Sequence, residues 1–232
     1  MNLNKQFFLI VMLGTLFGCG PKEEANHMQI DHLILAINDL EVGIEKCERL
    51  TGIRAVYGGE HPNSFTHNAI VSLGHQMYLE ILAPKHGLDS IPEFFKNINE
   101  LKPIGFAISV EDIKRLEESI LALQFDTKGV EDWARKKADG EELTWELLQI
   151  QGPDLDINPF FISWSRNTKH PSLQQNPQIA LKELSLNTPF KNEIMEILSA
   201  NKAKISLMNM KEDQAVGLRF TIQSPQGEIV FQ

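Results

Sequence analysis

Residues 31–40, DHLILAINDL, and residues 104–113, IGFAISVEDI, share one outline: an apolar run, then an acidic residue placed to open a helix. The apolar runs predict buried strands, and Asp39 and Asp112 predict helix N-caps. Beyond the first cap Leu40, Ile44, Cys47 and Leu50 recur at spacings of four, three and three. Beyond the second, Ile113, Leu116, Ile120 and Leu123 recur at three, four and three. Each set is a one-sided stripe, as a helix lying on a sheet requires, and Gly52 supplies a stop for the first. After each helix the chain reads as strand: 53–60, 65–73 and 77–83 after the first, with a turn at Gly74-His75, and 130–138, 142–150 and 158–165 after the second. Asp139-Gly140, between two of these, is a hairpin signal. Both units therefore predict strand-helix-strand-strand-strand. A third stretch opens at 180 with ALKELSLNTPF, where Thr188 and Pro189 suit an N-cap and first helical position. Phe190, Ile194 and Ile197 continue the spacing, and strands are expected near 204–210, 215–223 and 228–231.

Charge and cysteine usage narrow the classes. A net charge of −9 over 232 residues repels phosphate backbones, and the one cationic run, Arg135-Lys136-Lys137, reads as a solvated face. Nucleic-acid binding is thereby excluded. At the N-terminus, Lys5 and the apolar run from Phe7 to Phe17 have the layout of a secretory signal. Leu16-Phe17-Gly18-Cys19 resembles the lipobox of bacterial lipoproteins. That resemblance implies a signal peptide over 1–18, a lipid on Cys19 and a tether over 19–29. The protein would then be exported and anchored to the bacterial cell membrane or outer membrane. Cys47 is the other of the two cysteines, so the exported fold has no internal disulfide, and its place on the helix stripe predicts a buried small side chain.

Several residues stand where chemistry would need them. His32 is set into an apolar strand, and Glu80 is a carboxylate among apolar neighbours in YLEIL. An unpaired buried carboxylate is costly, so Glu80 calls for a metal, a cation or a raised pKa. A hydrogen-bonded pair of His32 and Glu80 is the alternative. Strand alternation puts either His67 or Asn68 towards the same face as a general base, a ligand or a substrate contact. Trp145, Phe161 and Trp164 could line an apolar binding cavity or form plain core. His61-Pro62 reads as a loop, and His170-Pro171 as a loop or the closure of a cavity mouth. The sequence contains no Gly-rich phosphate loop, serine nucleophile elbow, HExxH or CxxC.

The duplicated unit resembles the vicinal-oxygen-chelate superfamily, the glyoxalase/bleomycin resistance/dioxygenase fold. More narrowly, DHLILA at 31–36, HPNSFTHNAIVSLG at 61–74, YLEILAP at 78–84, PFFISWS at 159–165 and HP at 170–171 resemble the glyoxalase-like domain family, over about 30–232. The resemblance implies an α+β fold of tandem βαβββ modules, 30–98 and 99–175, forming a cup-shaped mixed sheet. A third partial module, a β-α-β segment, would fill 176–232. It also implies a single divalent metal in the cup (Zn, Mn, Fe or Ni) on His32 and Glu80, and no nucleotide cofactor. In the overlay of the two units the matching places hold Gly105 and Phe161, so a third ligand would come from elsewhere, with His67 and His61 as candidates. The implied function is a metal-dependent lyase, isomerase or dioxygenase acting on a small oxygenated molecule, with Glu80 or His67 moving a proton. A metal-free protein that binds or sequesters a small molecule is the alternative, and such modules also pair between chains, which allows a homodimer.

Overall fold

The computed structural model describes residues 27–62, 64–137, 139–151, 159–203, 205–212 and 216–232. Cys19, the signal peptide and most of the tether lie outside these residues. Among them the first unit runs β1 (Gln29–Ala36), α1 (Leu40–Thr51), β2 (Val56–Glu60), β3 (Thr66–Gly74) and β4 (Met77–Pro84). The second runs β5 (Lys102–Ser109), α2 (Ile113–Ala122), β6 (Thr127–Lys136), β7 (Glu142–Ile150) and β8 (Phe160–Trp164). Asp39 and Asp112 are the N-caps, accepting from the backbone N–H of Val42 and Arg115 at 3.0 Å. Gly52 closes α1 in the left-handed conformation. The stripe of α1 departs from expectation at its end: Leu50 is exposed and Thr51 is buried. At 3.6 residues per turn the buried face passes from Cys47 to position 51, not 50. There the Thr51 hydroxyl donates to the Cys47 carbonyl at 2.7 Å.

The two units close into one eight-stranded barrel of order β1-β4-β3-β2-β6-β7-β8-β5. Within each, the first strand pairs in parallel with the last, β1 with β4 and β5 with β8. The barrel's two joints differ greatly. β1 and β5 run antiparallel along their length, whereas β2 meets β6 at the single pair Glu60–Lys136. Alternation then sorts the side chains. Leu33, Leu35, Leu79, Ile81, Phe106, Ile108 and Leu148 face outwards into one core with Ile44, Cys47, Leu116 and Ile120 of the helices. The intervening residues face the barrel interior.

The C-terminal stretch has the element order of a full unit: β9 (Ala180–Asn187), α3 (Lys191–Ala200), β10 (Met208–Lys211), β11 (Gly217–Ser224) and β12 (Gly227–Phe231). It makes a separate sheet of order β10-β9-β11-β12, in which the first strand pairs with the second. It is therefore a different topology from the βαβββ modules of the barrel. This sheet shares the helix-side core, and Asn201 donates to Ser119 at 3.1 Å across α3 and α2. Thr188 does not cap α3 as its neighbour Pro189 suggested. Its hydroxyl accepts instead from the Phe190 N–H at 3.2 Å, ahead of the helix, which opens at Lys191 after Phe190, while its own N–H donates to the Lys211 carbonyl at 3.0 Å.

Candidate functional site

The barrel encloses a cavity of about 380 Å³, at the small end of the range for small-molecule sites. Its polar wall is built by β1, β4 and the end of β2, which contribute His32, Glu80 and His61. Its apolar wall is built by β6, β7 and β8, with Trp133, Trp145, Phe160 and Trp164. Phe65 and Phe94 also line it and are exposed, which marks the mouth.

A bulge shapes the first contact. Between Ile30 and His32 the pairing of β1 with β5 skips a residue, so Asp31 is extra on its strand. Adjacent strand residues ordinarily point to opposite faces, but a bulge rotates one of them. Here the result is a 2.7 Å hydrogen bond between Asp31 Oδ1 and His32 Nδ1. Asp31 Oδ2 accepts from Trp164 Nε1 at 2.9 Å and from His170 Nε2 at 3.2 Å. The backbone N–H of Ser172 donates to His170 Nδ1, which places the His170 proton on Nε2. Burial alone would raise the Asp31 pKa, but the hydrogen bonds from His170 and His32 outweigh it and hold the carboxyl at about 2. Asp31 is thus an ionised, buried carboxylate that accepts three N–H groups.

Its effect on His32 is specific. Nδ1–H is committed to Asp31, so Nε2 is left facing Glu80 Oε2 at 3.8 Å. The ring is stacked on Tyr78 at 4.6 Å and met edge-on by Phe160. Glu80 accepts from the Asn68 amide. His61 Nε2 stands 3.9 Å from the other Glu80 oxygen, its Nδ1 engaged by Thr66 Oγ1 at 3.0 Å. Burial pushes the Glu80 pKa up, but the nearby His32 and His61, the Asn68 hydrogen bond and Arg135 together bring it below the usual value. For His61 burial dominates and lowers the pKa, with Glu80 opposing. The His32 Nε2 lone pair and the Glu80 carboxylate are both acceptors. Whatever fills the gap between them must be a proton donor or a cation.

The structure gathers some of the sequence-derived candidates and separates others. His32, Glu80, Trp145 and Trp164 line the cavity, and Asn68 reaches it through Glu80. His67 does not. Strand alternation turns it outwards, where it meets Tyr57 and His86 edge-on and, among the described residues, its Nε2 has no partner. Phe161 also points away, into the core beneath the helices. The register explains this: Ile34 pairs with Glu80 as Ala107 pairs with Phe160, so Phe160, not Phe161, holds the place of Glu80 in the second unit. Two contributors, Asp31 and Arg135, were missed, and a third, His61, was read as loop and named only as a candidate ligand. Asp31 needed the bulge, His61 sits just past β2 rather than in a remote loop, and Arg135 is not on a solvated face but 2% exposed inside the barrel. A signal for Arg135 existed in the alternation Trp133-x-Arg135 opposite Trp145.

The donor set bears on the metal that the resemblance implies. A ligating imidazole commonly donates its other N–H to a carboxylate, as His32 does to Asp31. Yet among the described residues no three His, Cys, Asp or Glu side chains converge to hold an ion. His61 attends the opposite oxygen of Glu80 from His32, and the buried Arg135 guanidinium of β6 adds a positive charge to the same cavity. Catalytic ions usually have three protein ligands. These residues supply two.

The family model described as a glyoxalase-like domain matches residues 30–201. Among solved structures, a hypothetical protein from Staphylococcus aureus superposes with a TM-score of 0.56 at 17% identity, covering 88% of this chain and 84% of that one. Methylmalonyl-CoA epimerase from Mycobacterium tuberculosis gives a TM-score of 0.43 at 17% identity, covering 59% of this chain and 87% of that one. The Streptomyces coelicolor enzyme of the same name, in complex with 2-nitronate-propionyl-CoA, gives 0.42 at 16%, covering 58% and 95%. At such identities the likeness is one of fold. The curated proteins yield no match.

Proposed function

This chain belongs to the glyoxalase-like domain family, and from that premise we propose that it is an enzyme moving a proton on a small oxygenated molecule held in the barrel cavity. The observation that carries this is the line Asp31–His32–Glu80, in which two buried acceptors face each other across 3.8 Å. His32 Nε2 takes a proton from a carbon next to a carbonyl. Asp31, fixed on Nδ1, orients the ring and offsets the charge that develops on it. Glu80 lies opposite, where it stabilises the imidazolium, and the Asn68 amide holds its carboxylate in place. Burial of both partners strengthens these interactions over those in water.

In heavy water, with a panel of small ketones, hydroxy ketones and 2-oxo esters, the protein is expected to replace a C–H beside a carbonyl with deuterium, read by proton NMR. His32→Gln, which removes the base, is expected to slow that exchange about 100- to 10,000-fold, and Glu80→Gln, which removes the charge opposite it, to slow it as well. Panel members that bind without exchange, and bind Glu80→Gln equally well, would make the protein a sequestering one instead.

A second reading, a divalent ion (Zn, Mn, Fe or Ni) on His32 and Glu80, is favoured by the Asp31 contact. Such an ion would supply polarisation of the carbonyl. Metal analysis of protein purified without chelator, beside a His32→Ala/Glu80→Ala double variant, separates the readings. Near-stoichiometric metal in the first and none in the second supports the ion.

We also propose export and lipid attachment at Cys19. No helix among the described residues is long and apolar enough to cross a membrane, so on this reading the lipid is the anchor. Cys19→Ala is expected to move the protein from the membrane fraction to the soluble fraction on fractionation of expressing cells. Retention at the membrane would overturn the anchor.

A further inference from the structure

Arg135 is a cation where a cation is hard to keep. It is 2% exposed, it lines the cavity, and among the described residues its Nε and Nη2 have no hydrogen-bond partner. Buried charges are ordinarily paired, and buried N–H groups are ordinarily bonded. The positions of the two orphaned atoms are informative. Nε–H and Nη2–H lie along one edge of the planar guanidinium and point the same way, the fork that takes a carboxylate or phosphate in two parallel bonds. The positive charge is felt across the wall, at His61, Tyr78 and Glu80. On the side of β6 and β7 the wall beside it is flat and apolar. Trp133, two residues earlier on β6, pairs with Trp145 of β7, their rings stacked at 6.5 Å, and Trp145 in turn meets Trp164 at 5.2 Å.

We propose that Arg135 seats an oxyanion, and that the ligand of this cavity is a small acid: a carboxylate or phosphate joined to a flat apolar body that lies against the tryptophans. The inference rests on the reading of the cavity as a substrate site and names the class of substrate. With the anion on Arg135 and the body along Trp133 and Trp145, the other end of the molecule is delivered to His32 and Glu80.

Binding, not turnover, is the test, so that the two readings fail separately. Quenching of tryptophan fluorescence is measured with phenylacetate, phenyl phosphate, phenylacetamide and inorganic phosphate at constant ionic strength. On the natural protein one or both aromatic oxyanions are expected to bind about 10- to 100-fold more tightly than the amide, the scale of a charge-assisted bidentate contact. Which of the two binds tells carboxylate from phosphate, and inorganic phosphate is expected to be weaker than phenyl phosphate for want of the apolar body. Arg135→Gln is expected to abolish the preference, and Arg135→Lys to restore part of it. Glu80→Gln should keep the preference while slowing deuterium exchange. Should the Arg135 variants not fold, protection of Arg135 from phenylglyoxal by the preferred anion, read on its peptide by mass spectrometry, takes their place. Equal binding of acid and amide, unchanged preference in Arg135→Gln, no protection, or no binding of either aromatic oxyanion at millimolar concentration would each overturn the proposal.

Discussion

Asp31→Ala is expected to destabilise the fold by about 4 kcal/mol, measured by chemical denaturation at neutral pH. The size reflects how much the carboxylate holds. His32 Nδ1, Trp164 Nε1 and His170 Nε2 all donate to it, and its removal leaves three donors without their acceptor at a place where Asp31 is 1% exposed. Titration gives an independent figure. The Asp31 carboxyl falls from an ordinary 3.8 to about 2, a difference worth roughly 2 kcal/mol. A lowered carboxyl pKa stabilises the folded state above the unfolded value, and that contribution disappears as pH falls from about 4 to about 2. The substitution costs more than the titration because protonated Asp31 still fills its space and accepts hydrogen bonds, whereas alanine does neither. A melting temperature that drops between pH 4 and pH 2 no faster in the natural protein than in the variant would deny Asp31 this role.

The second large effect is expected at Gly59, where Gly59→Ala should cost about 3 kcal/mol. Gly59 has φ +130°, a backbone region that side chains avoid, and an added Cβ would run into the Lys136 carbonyl. That carbonyl belongs to the one residue of β6 that pairs with β2. Relief by movement would therefore open the thin joint of the barrel beside Arg135. Gly129→Ala is the control: its φ is +87° with nothing within 4 Å of the new atom. It is expected to cost about 1 kcal/mol, from backbone conformation alone. Equal losses at the two positions would show that the contact with β6 does not matter.

Much of this architecture was legible because a single rule wrote it. Period-two and period-3.6 patterns located the barrel strands and α1 and α2, and Asp39, Asp112 and Gly52 marked helix ends through their own local hydrogen bonds and conformations. The misreadings arose where local pattern alone does not decide. Thr188 looks like the cap of α3, yet its hydroxyl serves Phe190 ahead of a helix that opens only at Lys191, and the sheet order of 180–232 depends on pairing that no local pattern encodes. In the site, His32 and Glu80 were visible as polar residues in apolar strands. Asp31 was hidden because alternation sends it to the other face unless a bulge intervenes. Arg135 was hidden inside a cationic run whose end behaves differently: Lys137 pairs with Asp139 and Glu141 at the surface while Arg135 turns inwards. The choice between Phe160 and Phe161 turned on one residue of register, which reverses every side chain.

The triple acceptor Asp31 also bears on how the protein is made. Its donors Trp164 and His170 lie 133 and 139 residues further along the chain, and the segment just beyond them is stitched back to the first unit by Gln175, which accepts from Ser72 N at 3.2 Å across 103 residues. A ribosome delivers β1 to β4 long before any of these arrive. The early strands can pair during synthesis, yet two of the three hydrogen bonds that hold the Asp31 carboxylate wait for residue 170. A polypeptide interrupted before that point would carry His32 and Glu80 in a sheet without the anchor that aims them, so competence of the site is reserved for the finished chain.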